Sequence, residues 1–131
     1  MTAAIRPATD EIDEYSERWA TAVHEAAHAV LAEHLGARVK FCRITGDDTG
    51  LTRHTAEGAD HAVVAVGGER ATRLLCGTGG GSTTDYDHAD TALTGTGHDL
   101  GWAEHRADQL IQDHRREIRR TATTLHRTSH R

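Results

Sequence analysis

Between Thr9 and Leu35 the apolar residues return at steps of three and four: Ile12, Tyr15, Trp19, Val23, Ala26 and Val30. That spacing predicts one long amphipathic helix, with acids crowding its first turns and Gly36 as its stop. The pattern then shortens. "ARVKFCRIT" (37–45) is β-prone, "GDDTG" is turn-rich, and "LTRH" (51–54) supplies a partner, so a small β-hairpin is expected. Residues 59–76, "ADHAVVAVGGERATRLLC", read either as a strand followed by a helix or as one helix with two glycines inside it. In a helix, Gly67 and Gly68 would each cost about 1 kcal/mol relative to alanine, and close approach to another helix would be the reason to keep them. A loop, "GTGGGSTT" (77–84), leads to a short helix near Asp85, and "TGTG" precedes a final helix from about Asp99 to His126. The stripe of that last helix is Ala107, Leu110, Ile111, His114, Ile118, Thr121 and Leu125. The expected fold is mainly α (α+β) and compact: a loose tail over 1–8, then a single domain over 9–131.

Composition narrows the picture. Hydrophobic residues make up 37% and aromatics 4% of the 131 residues, so the core must be built from Ala, Val, Leu and Ile. Trp19, Trp102 and Phe41 are the few large pieces available to it. A core this lean gains from any ligand that binds only the folded state, a metal included. The net charge of −5 lacks the basic footprint of a nucleic-acid binder, so no nucleic-acid partner is expected. Cys42 and Cys76 stand alone, which fits a reduced, cytoplasmic setting. The N-terminus has no apolar segment of signal-peptide length, and no run is long enough to span a membrane.

Candidate chemistry sits in "VHEAAHAVL", residues 23–31, inside the first predicted helix. Helical positions four apart differ by about 40° around the axis and about 6 Å along it. His24 and His28 therefore project side by side and can offer two imidazole nitrogens to one Zn2+ ion. Glu25, about 100° from His24, reaches a metal-activated water without ligating the metal. This is the logic of His-Glu-x-x-His as two ligands and a general base. Eleven histidines make a chance occurrence a real competitor. The central place of the motif in a periodic helix, with Ala26, Ala27 and Ala29 leaving room around it, favours the metal site.

A catalytic zinc requires a third protein ligand and one open position. His34 falls where a third histidine stands in longer motifs, but Leu31 replaces the glycine that would turn the chain back. On a continuing helix His34 points about 240° away from His28, and it reads as a surface residue. The acids after the glycine loop are better placed: Asp85, with Asp87, His88 and Asp90 as rivals. Spacing alone does not choose among them, since acids also favour a first helical turn.

The order of elements resembles the peptidase domain of FtsH-type AAA zinc proteases. In that family the zinc helix reads Ala-x-His-Glu-Ala-Gly-His-Ala, and here stand Ala22, Val23, His24, Glu25, Ala26, Ala27, His28 and Ala29. A later family helix carries a glycine pair, small residues, leucine and a closing glycine, similar to Gly67, Gly68, Ala71, Leu74 and Gly77. After a glycine-rich loop the family has Asn-Asp-Leu and then Ala, matched by Thr84, Asp85, Tyr86 and Ala89. The resemblance implies a zincin-like zinc metalloendopeptidase in which His24, His28 and Asp85 bind the metal and Glu25 is catalytic. It covers about residues 15–128, with Ala27, Thr84, Thr72 and Arg73 as its departures. No GxxxxGK[ST] is present. The expected substrate is therefore an unfolded segment or a peptide, with a homo-oligomer or a separate unfoldase as the expected assembly.

Two alternatives stand beside this reading. One is a zinc-containing, non-catalytic binding or regulatory module, or a subunit of a larger protease assembly. It would use the C-terminal helix, where Arg115, Arg116, Arg119, Arg120, Arg127 and Arg131 face only Glu117. The other keeps the hydrolysis but takes Glu104 as the third ligand. His54 and Tyr86 are candidate hydrogen-bond donors to the transition state. The strand "RVKFCRIT" offers an edge for an extended peptide.

Overall fold

A computed structural model describes residues 11–78 and 83–131. The tail expected over 1–8 and the middle of the glycine loop, 79–82, lie outside the described residues. Among the described residues the order is α1 (Glu17–His34), β1 (Val39–Gly46), β2 (Thr49–His54), α2 (Gly58–Cys76), α3 (Thr83–Leu93) and α4 (Leu100–Thr128). The chain is thus mainly helical with one antiparallel hairpin, as expected from its periodicity.

Helix α1 starts at Glu17, eight residues later than its periodicity predicts. Local polar bonding explains the delay. Asp13 Oδ1 accepts from the Tyr15 amide at 2.9 Å, and Ser16 Oγ caps the helix by accepting from the Trp19 amide at 3.1 Å. Short side chains that bond the nearby backbone favour turns and caps over helix interiors. At the other end Gly36 has a φ of +85°, and the amide of Ala37 returns to the Ala32 carbonyl at 2.9 Å.

Residues 59–76 form one helix, and the reason for its internal glycines is visible. A Cβ on Gly67 would lie 2.5 Å from Leu31 Cδ2, and one on Gly68 would lie 2.6 Å from His24 Nε2. Side chains at these two positions would hold α2 away from α1. The three helices α1, α2 and α4 pack on one another around Leu31, Val63, Val66, Ile111, Ile118 and Leu125. Helix α3 lies on α2, and the hairpin lies on α1. Of the large residues expected in the core only Trp19 is buried there. Trp102 stacks on His98 at the edge, and Phe41 lies under the Arg43 guanidinium.

The hairpin turns through Asp47 and Asp48, with Gly46 paired to Thr49. The outer edge of β1 is occupied: the Ile44 amide donates to Ser129 O at 2.7 Å and the Arg131 amide to Cys42 O at 3.0 Å. Helix α4 departs from helical geometry at His114 (φ −121°, ψ 21°). No helix among the described residues is long and apolar enough to cross a membrane.

Candidate metal centre

Helix α1 presents His24 and His28 one turn apart, and α3 brings Asp85 over them. The three atoms that meet form a nearly equilateral triangle. Asp85 Oδ2 lies 3.0 Å from His24 Nε2 and 3.2 Å from His28 Nε2, and the two nitrogens are 3.1 Å apart. Ligands at about 2.0–2.1 Å from a tetrahedral zinc are separated by about 3.3 Å, so the triangle is close to the face such an ion needs.

Hydrogen-bond accounting points the same way. The second ring nitrogen of His28, Nδ1, lies 2.7 Å from the buried carbonyl of Val64 and has only acceptors to meet there. It must carry a proton, which leaves Nε2 of the neutral ring bare, facing the lone pairs of Asp85 and beside His24. A cation, or a proton carried on the ring nitrogens, relieves that arrangement. Without a metal the proton serves: burial opposes it, but the Asp85 hydrogen bond and the nearby Glu25 and Asp85 charges push His28 up to about 9. Asp85 is held well below the usual carboxylate range; burial works against this, and the bonds from His24 and His28 outweigh it.

Gly68 leaves open the space beside the nitrogens, since its Cβ would lie 2.6 Å from His24 Nε2 and 2.7 Å from His28 Nε2. Two imidazoles and one carboxylate are a borderline donor set, suited to zinc over calcium or magnesium. The residues present therefore fit the ion expected from the sequence.

Glu25 stands apart from the triangle. It is buried, one of its carboxylate oxygens lies within 4.8 Å of ring nitrogens of both histidines, and Oε1 accepts from Thr52 Oγ1 at 2.7 Å. Gly50 makes that position accessible, because a Cβ there would lie 2.6 Å from Glu25 Cγ. Cys42 lies behind it, with Sγ 3.5 Å from the Glu25 carbonyl and its thiol pushed up to about 11, chiefly by burial.

These residues line an open cleft of about 520 Å³ between α1, β2 and the α2–α3 side. Among the described residues its walls carry Glu17, Glu25, Asp48 and Asp85 and no lysine or arginine. Thr49, Gly50, Leu51 and Thr52 of β2 form one wall, so β2 is the strand at the cleft, while the edge of β1 is covered by 129–131. The edge of "RVKFCRIT" expected to receive an extended peptide is thus already paired.

The other candidates fall elsewhere. Tyr86 donates its hydroxyl to Glu104 Oε2 at 2.8 Å, and neither lines the cleft. Glu104 also faces Arg70, whose guanidinium forks onto Asp108 at 2.9 and 2.8 Å. This network ties α2, α3 and α4 together next to Asp85. Burial and Glu104 hold the Tyr86 hydroxyl well above its usual range. His54 accepts from the Ala56 amide at 3.1 Å beside His61 and does not line the cleft. Burial, helped by His61, lowers it to about 4. Asp87, His88 and Asp90 do not line the cleft either, and His34 pairs with Glu117 on the far side of α1's C-terminal turn.

The sequence gives no signal for Thr52, for the Val64 carbonyl, or for Gly50 as more than a turn residue. No family model matches the chain, and no curated protein or solved structure matches it.

Proposed function

We propose that the chain is a zinc-dependent metallopeptidase of zincin-like design, related in plan to the FtsH-type peptidase domain, acting on unfolded segments or peptides. The observation that carries this reading is the triangle of His24 Nε2, His28 Nε2 and Asp85 Oδ2, with a buried carboxylate beside it. Zinc, when bound, supplies a Lewis acid that polarises a carbonyl and acidifies water.

The chain's own residues supply the rest. Val64 fixes the His28 tautomer, and Thr52 steadies Glu25. Glu25 accepts the proton of the attacking water and returns it to the leaving amine. The β2 wall offers backbone groups to an extended chain, and pairing of this kind requires a substrate segment that is not already folded. The acidic lining disfavours phosphate-bearing ligands.

Cleavage of an unstructured casein tests the reading. Wild type should cleave, an excess of chelator should stop it and zinc should restore it. Glu25→Gln should retain zinc and lose about 10²–10⁴-fold in rate. Wild type and Glu25→Gln equally inert over a broad panel of unfolded substrates would favour the binding-module alternative.

A further inference from the structure

A second group of metal-ligating side chains lies outside the cleft, at the seam between α1 and α4. His34 of the last turn of α1 faces His114 and Glu117 of α4, and ligand atoms of the three lie within 4.8 Å of one another. His34 Nε2 is 2.8 Å from Glu117 Oε1, and the two rings stack with centroids 3.5 Å apart and planes 14° apart.

We propose that His34, His114 and Glu117 form a second, structural binding site for a divalent transition metal such as Zn2+. It does not depend on the peptidase reading. Three observations support it. The donor set, two imidazoles and a carboxylate, repeats the chemistry of the cleft and selects borderline metals over calcium or magnesium. His114 occupies the apolar stripe of α4 between Ile111 and Ile118, both fully buried, at a place where leucine would serve packing alone. And α4 leaves helical geometry at His114 itself, with neither proline nor glycine beside it to account for the break.

The parallel stack sets the quality of the site. Lone pairs of rings 14° apart run nearly side by side, so a shared ion requires the rings to open away from each other. The His34 and Glu117 side chains are 34% and 37% exposed, which leaves room for that movement and for water to complete the coordination. The site should therefore bind at least about tenfold more weakly than the buried cleft. Its effect would be to pin the end of the HExxH helix to the middle of α4.

Equilibrium dialysis of the full chain against buffered Zn2+ provides the test. Wild type should take up a second equivalent as free zinc rises to about 100 µM. His34→Ala combined with Glu117→Gln should lose that equivalent and keep the first, with an unchanged helical circular-dichroism signal. His114→Ala should give the same loss. In a His24→Ala, His28→Ala background, zinc should still raise the melting temperature, and the His34/Glu117 changes should abolish that rise. No second equivalent in wild type, or its retention in both the double variant and His114→Ala, would overturn the proposal.

Discussion

Replacing Gly68 with alanine adds a single methyl group and separates the metal site from the fold. The new Cβ would lie 2.6 Å from His24 Nε2 and 2.7 Å from both His24 Cε1 and His28 Nε2. These distances fall roughly 1 Å short of the carbon contact optimum of about 3.5–4.0 Å. Two opposing terms act on the metal-free protein. Alanine gains about 1 kcal/mol of helix propensity over glycine, and overpacking costs about 1–3 kcal/mol. Metal-free stability should therefore change by no more than about 2 kcal/mol. Zinc binding has no such offset. His28 is pinned at Nδ1 by Val64, so relief comes from turning its Nε2 and that of His24 off their common point. Because altering a mere partner of a ligand already costs about 10–100-fold in affinity, displacing two ligands should cost at least about 100-fold. Competition with a chromophoric chelator measures the affinity, and urea unfolding in EDTA measures the stability. Gly67→Ala is the control: its Cβ would meet Leu31 Cδ2 at 2.5 Å and no imidazole, so it should lose stability and keep zinc. Zinc affinity in Gly68→Ala within about threefold of wild type would refute the reasoning.

Thr52→Val removes the hydroxyl that donates to Glu25 Oε1; casein cleavage should fall about tenfold with zinc affinity unchanged, and a parallel loss of zinc would contradict this role. Gly50→Ala places a Cβ 2.6 Å from Glu25 Cγ and 2.9 Å from the Arg43 carbonyl; urea unfolding should show a loss of about 1–3 kcal/mol, and an unchanged midpoint would show that the hairpin has slack there. His54 gives a pH dependence of defined sign. Its folded value is lowered to about 4 from 6.5, so its contribution is complete above 6.5 and is lost as the pH falls towards 4. With the ring partly exposed, the effect should be about 1–2 kcal/mol. Urea midpoints in EDTA at about pH 7 and pH 5 should therefore differ less in His54→Gln than in wild type, and equal differences would count against it.

Much of the architecture follows from local pattern. The three-and-four spacing around Val23 and Val30, the β-prone run at Phe41 and Ile44, and the glycine pair at 67 and 68 each answer to a packing demand that the structure displays. The placing of His24 beside His28 needs only helical geometry. Other features depend on contacts far along the chain. Nothing near Ser16 outweighs the helical periodicity upstream of it until its hydroxyl is seen to cap Trp19. Asp85 stands out from Asp87 and Asp90 only once α3 is seated on α2. Tyr86 and His54 are near the site in sequence order yet bond elsewhere, because Glu104 and the Ala56 amide compete for them. The supports of the site are backbone groups and small residues, which carry no signature of their own.

The central claim is that His24, His28 and Asp85 converge on one zinc ion that keeps a position open to solvent. Anomalous diffraction at the zinc absorption edge, from crystals of the full chain grown with zinc, tests it most directly. The expected result is a peak bonded to His24 Nε2, His28 Nε2 and Asp85 Oδ2, facing the cleft beside Glu25. A peak without Asp85, or one whose fourth position is filled by a protein side chain, would contradict it.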